Sequence, residues 1–209
     1  MIVAYGPAMT SALPESVAGT WQRAGTRQGE TSVLIASITA ETTVYEPVES
    51  AAALAELGPA DIPLRSLFTV ETSFSPSLST VGVSPASALS KAAPKAKDQF
   101  VETVEDDGLV VEDTREEHAF ERPDGSEGRW FVLDVAYPLS SDLETDRDRL
   151  AAETNVAIWP TDDAYGMAGG TLPLEAPPGD ADALGVDPER DRETIAELIR
   201  TVDPDGASE

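Results

Sequence analysis

No cysteine occurs among the 209 residues, and there are only one histidine and three lysines. The first absence excludes disulfides, thiolate nucleophiles and cysteine-ligated zinc. The second leaves His118 as the one side chain that ordinarily titrates near neutral pH. No apolar run approaches the roughly 20 residues that a bilayer-spanning helix needs. Residues 1–9 carry no basic residue and no apolar core of useful length, so no secretory leader is expected. Aromatic residues make up only 6% of the chain, so Trp21, Trp130 and Trp159 are each expected to pack in the core or on a sheet face.

What is abundant is acid. Aspartate and glutamate number 39 against 14 lysines and arginines, for a net charge of -25, and they are spread along the chain rather than gathered in a tail. Such acidity can signal disorder, but 41% hydrophobic residues in clear periodic patterns can form a core. The composition suits a cytoplasm of molar salt, where the Debye length is about 3 Å and self-repulsion is screened. It also repels phosphates, so nucleic acid is not an expected partner. A membrane is not expected either.

The pattern along the chain predicts one α+β domain over residues 17–203. Residues 1–16 read as a loosely ordered N-terminal segment and 204–209 as a polar tail. Residues 17–25 suit a strand, residues 27–30 a turn, and residues 31–45 a second strand, together a first hairpin. Val33 and Ile35 would face one way, and Leu34, Ala36, Ile38 and Ala40 the other. A short helix is expected within residues 50–57. Phe68, Val70, Thr72 and Phe74 then alternate with Thr69, Glu71 and Ser73, the period of a half-buried strand. Ser84-Pro85 suits the entry to a helix. Leu89, Ala93, Ala96, Phe100, Val101 and Val104 recur at helical spacing, and Gly108 follows as a left-handed cap. Pro94 inside that span predicts a short turn from Pro85 and a main helix from about Pro94 to Asp107. Phe100 is expected to anchor this helix on the sheet.

Two strands follow, over residues 109–120 and 129–138, joined by the turn residues Pro123-Asp124-Gly125. Residues 150–159 suit another strand. The segment 165–174 reads as a weak one, because Gly166, Gly169 and Gly170 mark bulges or close backbone contacts. Asp187-Pro188 opens a terminal helix with the stripe Ile195, Leu198, Ile199 and Val202.

Little of this carries chemistry. Gly82-Val83-Ser84-Pro85-Ala86 falls one residue short of a nucleophile elbow, and Pro85 lacks the N–H that an oxyanion hole takes from that position. Ser84 is therefore read as a helix cap, and His118 as a strand residue at a sheet edge. Asp180, Asp182, Gly185 and Asp191 fit a calcium loop only in part. Leu184 stands at a ligand position, Asp191 replaces the bidentate glutamate, and no helix precedes. Pairs such as Asp106-Asp107 and Asp162-Asp163 are expected on any surface this acidic. No catalytic residue, metal site or cofactor is assigned. The expected function is a non-catalytic binding or structural module, with a metal-dependent hydrolase using carboxylates as the alternative.

The lysines stand apart. Lys91, Lys95 and Lys97 fall within seven residues, at the expected start of the main helix. Free N–H groups and ammonium heads together would form an anion site for a small anion or an acidic protein partner. The competing reading is that Lys95 pairs with Asp98 one turn on and the other lysines neutralise acids across the surface, in pairs worth about 0.2–0.5 kcal/mol.

The order hairpin, strand, helix, hairpin, strand pair, terminal helix resembles the PsbP-like α/β/α sandwich over roughly residues 15–203. That resemblance implies an antiparallel sheet between helices, and a binding or assembly module more than an enzyme. No motif accompanies it, so no functional residue carries over. The stretches SLSTVGVSPASA (77–88), AAPKAKDQF (92–100) and FERPDGSEGRWFVLDVAYPL (120–139) resemble haloarchaeal proteins of a family of unknown function.

The charge generates a first prediction. Circular dichroism should show a cooperative thermal transition in molar potassium chloride that is lost on desalting. A sharp transition unchanged in dilute buffer would refute the salt-adapted reading.

Overall fold

The computed structural model describes residues 13–33, 36–143, 145–177 and 184–202. In chain order the elements are α1 (Glu15–Ala18), β1 (Trp21–Val33), β2 (Ala36–Pro47), α2 (Ala51–Ala55), β3 (Ser66–Ser75), α3 (Pro85–Asp106), β4 (Val110–Glu121), β5 (Glu127–Pro138), β6 (Arg149–Pro160), β7 (Tyr165–Pro173) and α4 (Pro188–Thr201). The strands form one sheet in the order β1-β2-β3-β7-β6-β5-β4, antiparallel throughout. The fold class is α+β. No helix among the described residues is long and apolar enough to cross a membrane.

The helix α3 makes this order possible. It leaves the end of β3 near the middle of the sheet and delivers the chain to β4 at the far edge. Four inter-strand spacings amount to about 19 Å, and a helix of 22 residues reaches about 33 Å. At its start the Tyr165 hydroxyl of β7 donates to the Pro85 carbonyl at 3.1 Å. At its end Gly108 takes φ 102°, the left-handed cap that turns the chain into β4. The meander β4-β5-β6-β7 then returns to pair with β3.

Alternation along each strand divides the core into two layers. Phe68, Val70, Leu133, Tyr137, Val156 and Ile158 face α3, where Leu89 and Ala93 are buried against them, and Phe100 stacks on Phe68 at 4.9 Å. Leu67, Trp130, Trp159, Ala168 and Leu172 face the other way, with Trp21 and Tyr45, onto Val17 of α1 and Ile195, Leu198 and Ile199 of α4. All three tryptophans are buried, as expected. The anticipated stripe of α4 is buried in full, and Asp187 caps that helix by accepting from the Arg190 amide at 3.1 Å. Phe100 meets the sheet as expected but is only half-buried.

The structure departs from the sequence reading at several points. α3 is one continuous helix rather than a turn followed by a restart at Pro94. Proline removes one backbone bond, but Pro94 points outward, while Leu89 and Ala93 before it and Val104 beyond it are buried. Tertiary burial carries the helix through. Residues 27–30 are not a turn: Arg27 to Glu30 pair with Thr42 to Thr39 inside β1. Their polarity reflects an exposed edge strand. The hairpin closes instead where Val33 pairs with Ala36, and residues 34–35 lie outside the described set. Residues 15–18 form α1, where a loose segment and the start of a strand were expected, and Leu13 packs with the second core layer. Residues 1–12 and 203–209 lie outside the described residues. The Pro123-Asp124-Gly125 turn is where it was read: Gly125 takes φ 83° and donates to the Arg122 carbonyl at 2.9 Å.

The largest departure concerns β7. The segment that reads as the weakest strand is a central one, buried along its whole length. Its glycines are close-contact sites. A Cβ on Gly166 would come within 2.7 Å of the Trp159 indole. One on Gly169 would meet the Asn155 carbonyl and lie 2.7 Å from Phe68, and one on Gly170 would lie 2.5 Å from the Ser66 carbonyl and 2.9 Å from Ile195. Gly169→Ala should therefore lower the unfolding free energy by at least about 2 kcal/mol. Gly29→Ala, in open space on the edge strand, should stay within about ±0.5 kcal/mol. Denaturant titration in molar salt measures both, and equal losses would contradict the packing described.

Candidate functional site

Because α3 begins at Pro85, its free N–H groups are not beside the lysines. All three lie within the helix body, so the anticipated joining of amides and ammonium groups does not occur. Lys91 and Lys95 are instead exposed, four residues apart and hence on one helical face. Neither has an ion-pair partner among the described residues. Lys97 is half-buried and pairs with Asp98 at 2.7 Å, in place of the expected Lys95–Asp98 pair. It borders a shallow groove between α3 and β4 lined by Asp98, Val101, Glu102, Val111, Glu112 and Asp113. Acid outnumbers base there.

The other residues singled out are scattered. His118 is exposed on the edge strand β4 and stacks on Trp130 at 5.4 Å. Trp130 in turn donates its indole N–H to Asn155 Oδ1 at 2.9 Å. Ser84 occupies the N-cap of α3, but its side chain makes no capping bond. Asp180 and Asp182 lie outside the described residues. Asp191, weighed with them as a calcium ligand, is buried in α4 and accepts two bonds from Arg65, at 2.8 and 2.6 Å. Among the described residues no group of three or more histidines, aspartates or glutamates is arranged to hold a metal ion.

The most concentrated polar chemistry was not picked out from the sequence. Glu153 of β6 is 1% exposed. Its Oε2 accepts from Arg192 at 2.8 Å and from Arg115 at 2.5 Å, and its Oε1 accepts from Asn155 at 2.8 Å. Arg115 also reaches Asp134 at 2.7 Å. Burial pushes the Glu153 carboxyl up, but the bonds from Arg192, Asn155 and Arg115 outweigh burial and hold it below its ordinary range. The same bonds hold Arg115 and Arg192 above theirs. Arg122 lies over the Trp159 ring at 4.3 Å and donates to the carbonyls of Ile199 and Val202, both at 2.6 Å. Three arginine contacts thus pin α4 to the sheet, two through the adjacent Asp191 and Arg192 near its start and one at its end. The carboxylates are filled with donors, an arrangement that holds a helix in place rather than moving a proton. A charged residue inside the run LAAETNVAIW was the available signal, but its partners lie 38 and 39 positions away.

Residues 15–203 match the model of a family described as a domain of unknown function, DUF6517. The chain belongs to that family. No curated protein and no solved structure matches it. The DUF6517 domain spans α1 through α4 and every strand of the sheet, so the family unit is this whole α+β layer structure.

The Glu153 cluster yields a pH prediction. A carboxyl whose pKa is depressed on folding contributes stability above its unfolded pKa and loses it as pH falls through the folded one. Glu153→Gln should cost about 1.5–3 kcal/mol at neutral pH, and the difference from the parent chain should shrink as pH falls below the usual carboxylate range. Urea titrations at several pH values measure it, and a pH-independent difference would contradict the assignment.

Proposed function

We propose that this DUF6517 domain is a non-catalytic binding module of a salt-rich cytoplasm, docking an acidic segment of a protein partner, or a small anion, on the outer face of α3. One observation carries the reading. In a chain of net charge -25 every lysine lies on this helix, and Lys91 and Lys95 stand exposed without an ion-pair partner among the described residues. Surface lysine is ordinarily dispersed among acids in weak pairs, and here two are left available. The face is open helix surface rather than a pocket, which favours an extended acidic segment over a single small ion. Helices on opposite faces of an antiparallel sheet, with α3 as the crossover, support the PsbP-like sandwich as the architecture of this module. The acidic composition supports the haloarchaeal, cytoplasmic setting.

The test follows Lys91, Lys95 and Lys97 side-chain signals by NMR while phosphate, sulfate or a poly-glutamate peptide is added in potassium chloride. Saturable shifts at Lys91 and Lys95, larger than at Lys97 and lost in a triple Lys→Gln variant, are expected. No saturable shift at millimolar ligand, or equal binding by the variant, would leave these lysines as ordinary surface charges.

A further inference from the structure

On the sheet face that carries α3, a cleft of about 330 Å³ lies between the β1–β2 hairpin and the chain from α2 to β3. Val44, Leu54 and Tyr137 line it, and the small residues Ala24, Ala55 and Ala60 leave it open. The volume is near the lower end for small-molecule sites. Tyr137 is the unusual member. It is 1% exposed, and its hydroxyl has no hydrogen-bond partner among the described residues. The hydroxyl is unpaired without being sealed off from solvent, and the cleft that Tyr137 lines is where a partner can reach it. Burial also pushes its pKa up to about 12, so the phenol stays protonated and uncharged across the physiological range. Gly58 fixes the ring: a Cβ there would collide with the Pro138 carbonyl and come within 2.8 Å of Tyr137 Cε1.

The charged residues at the cleft are already committed or acidic. Arg27 donates to Asp107 and to the Asp61 carbonyl, and Glu46 accepts from Gln22 at 3.1 Å. With Glu46 and Asp61 among the lining residues, an anion is repelled. We infer that this cleft binds a small neutral molecule with a branched aliphatic body and a carbonyl or hydroxyl oxygen, which pairs with the Tyr137 hydroxyl.

The inference stands apart from the lysine face, and either can fail alone. Isobutyramide, isobutyrate and isobutylammonium share one aliphatic body and differ in charge. Each is titrated into the full chain in potassium chloride while the Tyr137 ring and the Gly58 and Ala60 amides are followed by NMR. Isobutyramide should give saturable shifts at all three positions, and isobutyrate none. Tyr137→Phe should weaken isobutyramide about tenfold. Ala55→Leu should abolish its binding while circular dichroism stays unchanged, since the position is an exposed helical one. No saturable shift with isobutyramide, equal affinity in Tyr137→Phe, or tighter binding of isobutyrate would overturn the inference.

Discussion

The middle of the sheet can be covered on both faces only because β7 presents backbone where other strands present side chains. At Gly169 the space is taken by Phe68, which continues into the stack with Phe100 of α3. At Gly170 it is taken by Ile195 of α4, and at Gly166 by the Trp159 indole. Two core layers therefore approach one strand from opposite sides. A buried strand with β-branched residues at those positions would have higher strand propensity and would push both layers away. The closeness of that approach also sets where α4 lies, and with it the reach of the arginines that hold it.

Those arginines show how a chain so acidic keeps an ordered interior. A guanidinium offers donors in a planar fork that can satisfy both oxygens of a carboxylate, and Arg65 does this for the buried Asp191. Arg122 serves backbone carbonyls at the end of α4, where a cation also meets the negative pole of the helix. Arg115 and Arg192 reach Glu153 from the sheet edge and from α4. Buried pairs of this kind are screened by salt much less than surface ones. They persist under conditions that cancel the repulsion among the exposed acids. Lysine, a compact and strongly hydrated charge, is kept on the outside of α3.

The two edges of the sheet are treated differently. β4 carries Glu112, Asp113, Glu116, Glu117 and Glu121 and two irregularities in its pairing with β5, which guard a free edge against further strands. β1 carries little charge, and its pairing shifts once, between Arg23 and Gly25. Part of its inner face borders the cleft beside Tyr137. His118 belongs to the guarded edge, stacked on Trp130.

Local pattern alone determined the class of structure. The period-two run of β3, the Pro123-Asp124-Gly125 turn, the Asp187 cap and the stripe of α4 depend on neighbours within a few residues, and all were legible. Composition likewise determined the charge that any partner would meet. Tertiary structure decided what depends on distant neighbours. Pro94 does not break α3, because burial of Leu89 and Ala93 outweighs one lost backbone bond. Residues 27–30 are strand because β2 supplies their hydrogen bonds. The glycines of β7 mark its centre, because the atoms filling their space come from β3, β6 and α4. The environment of Glu153 follows the same rule, since both arginines that hold it are brought there by the fold and not by the local sequence.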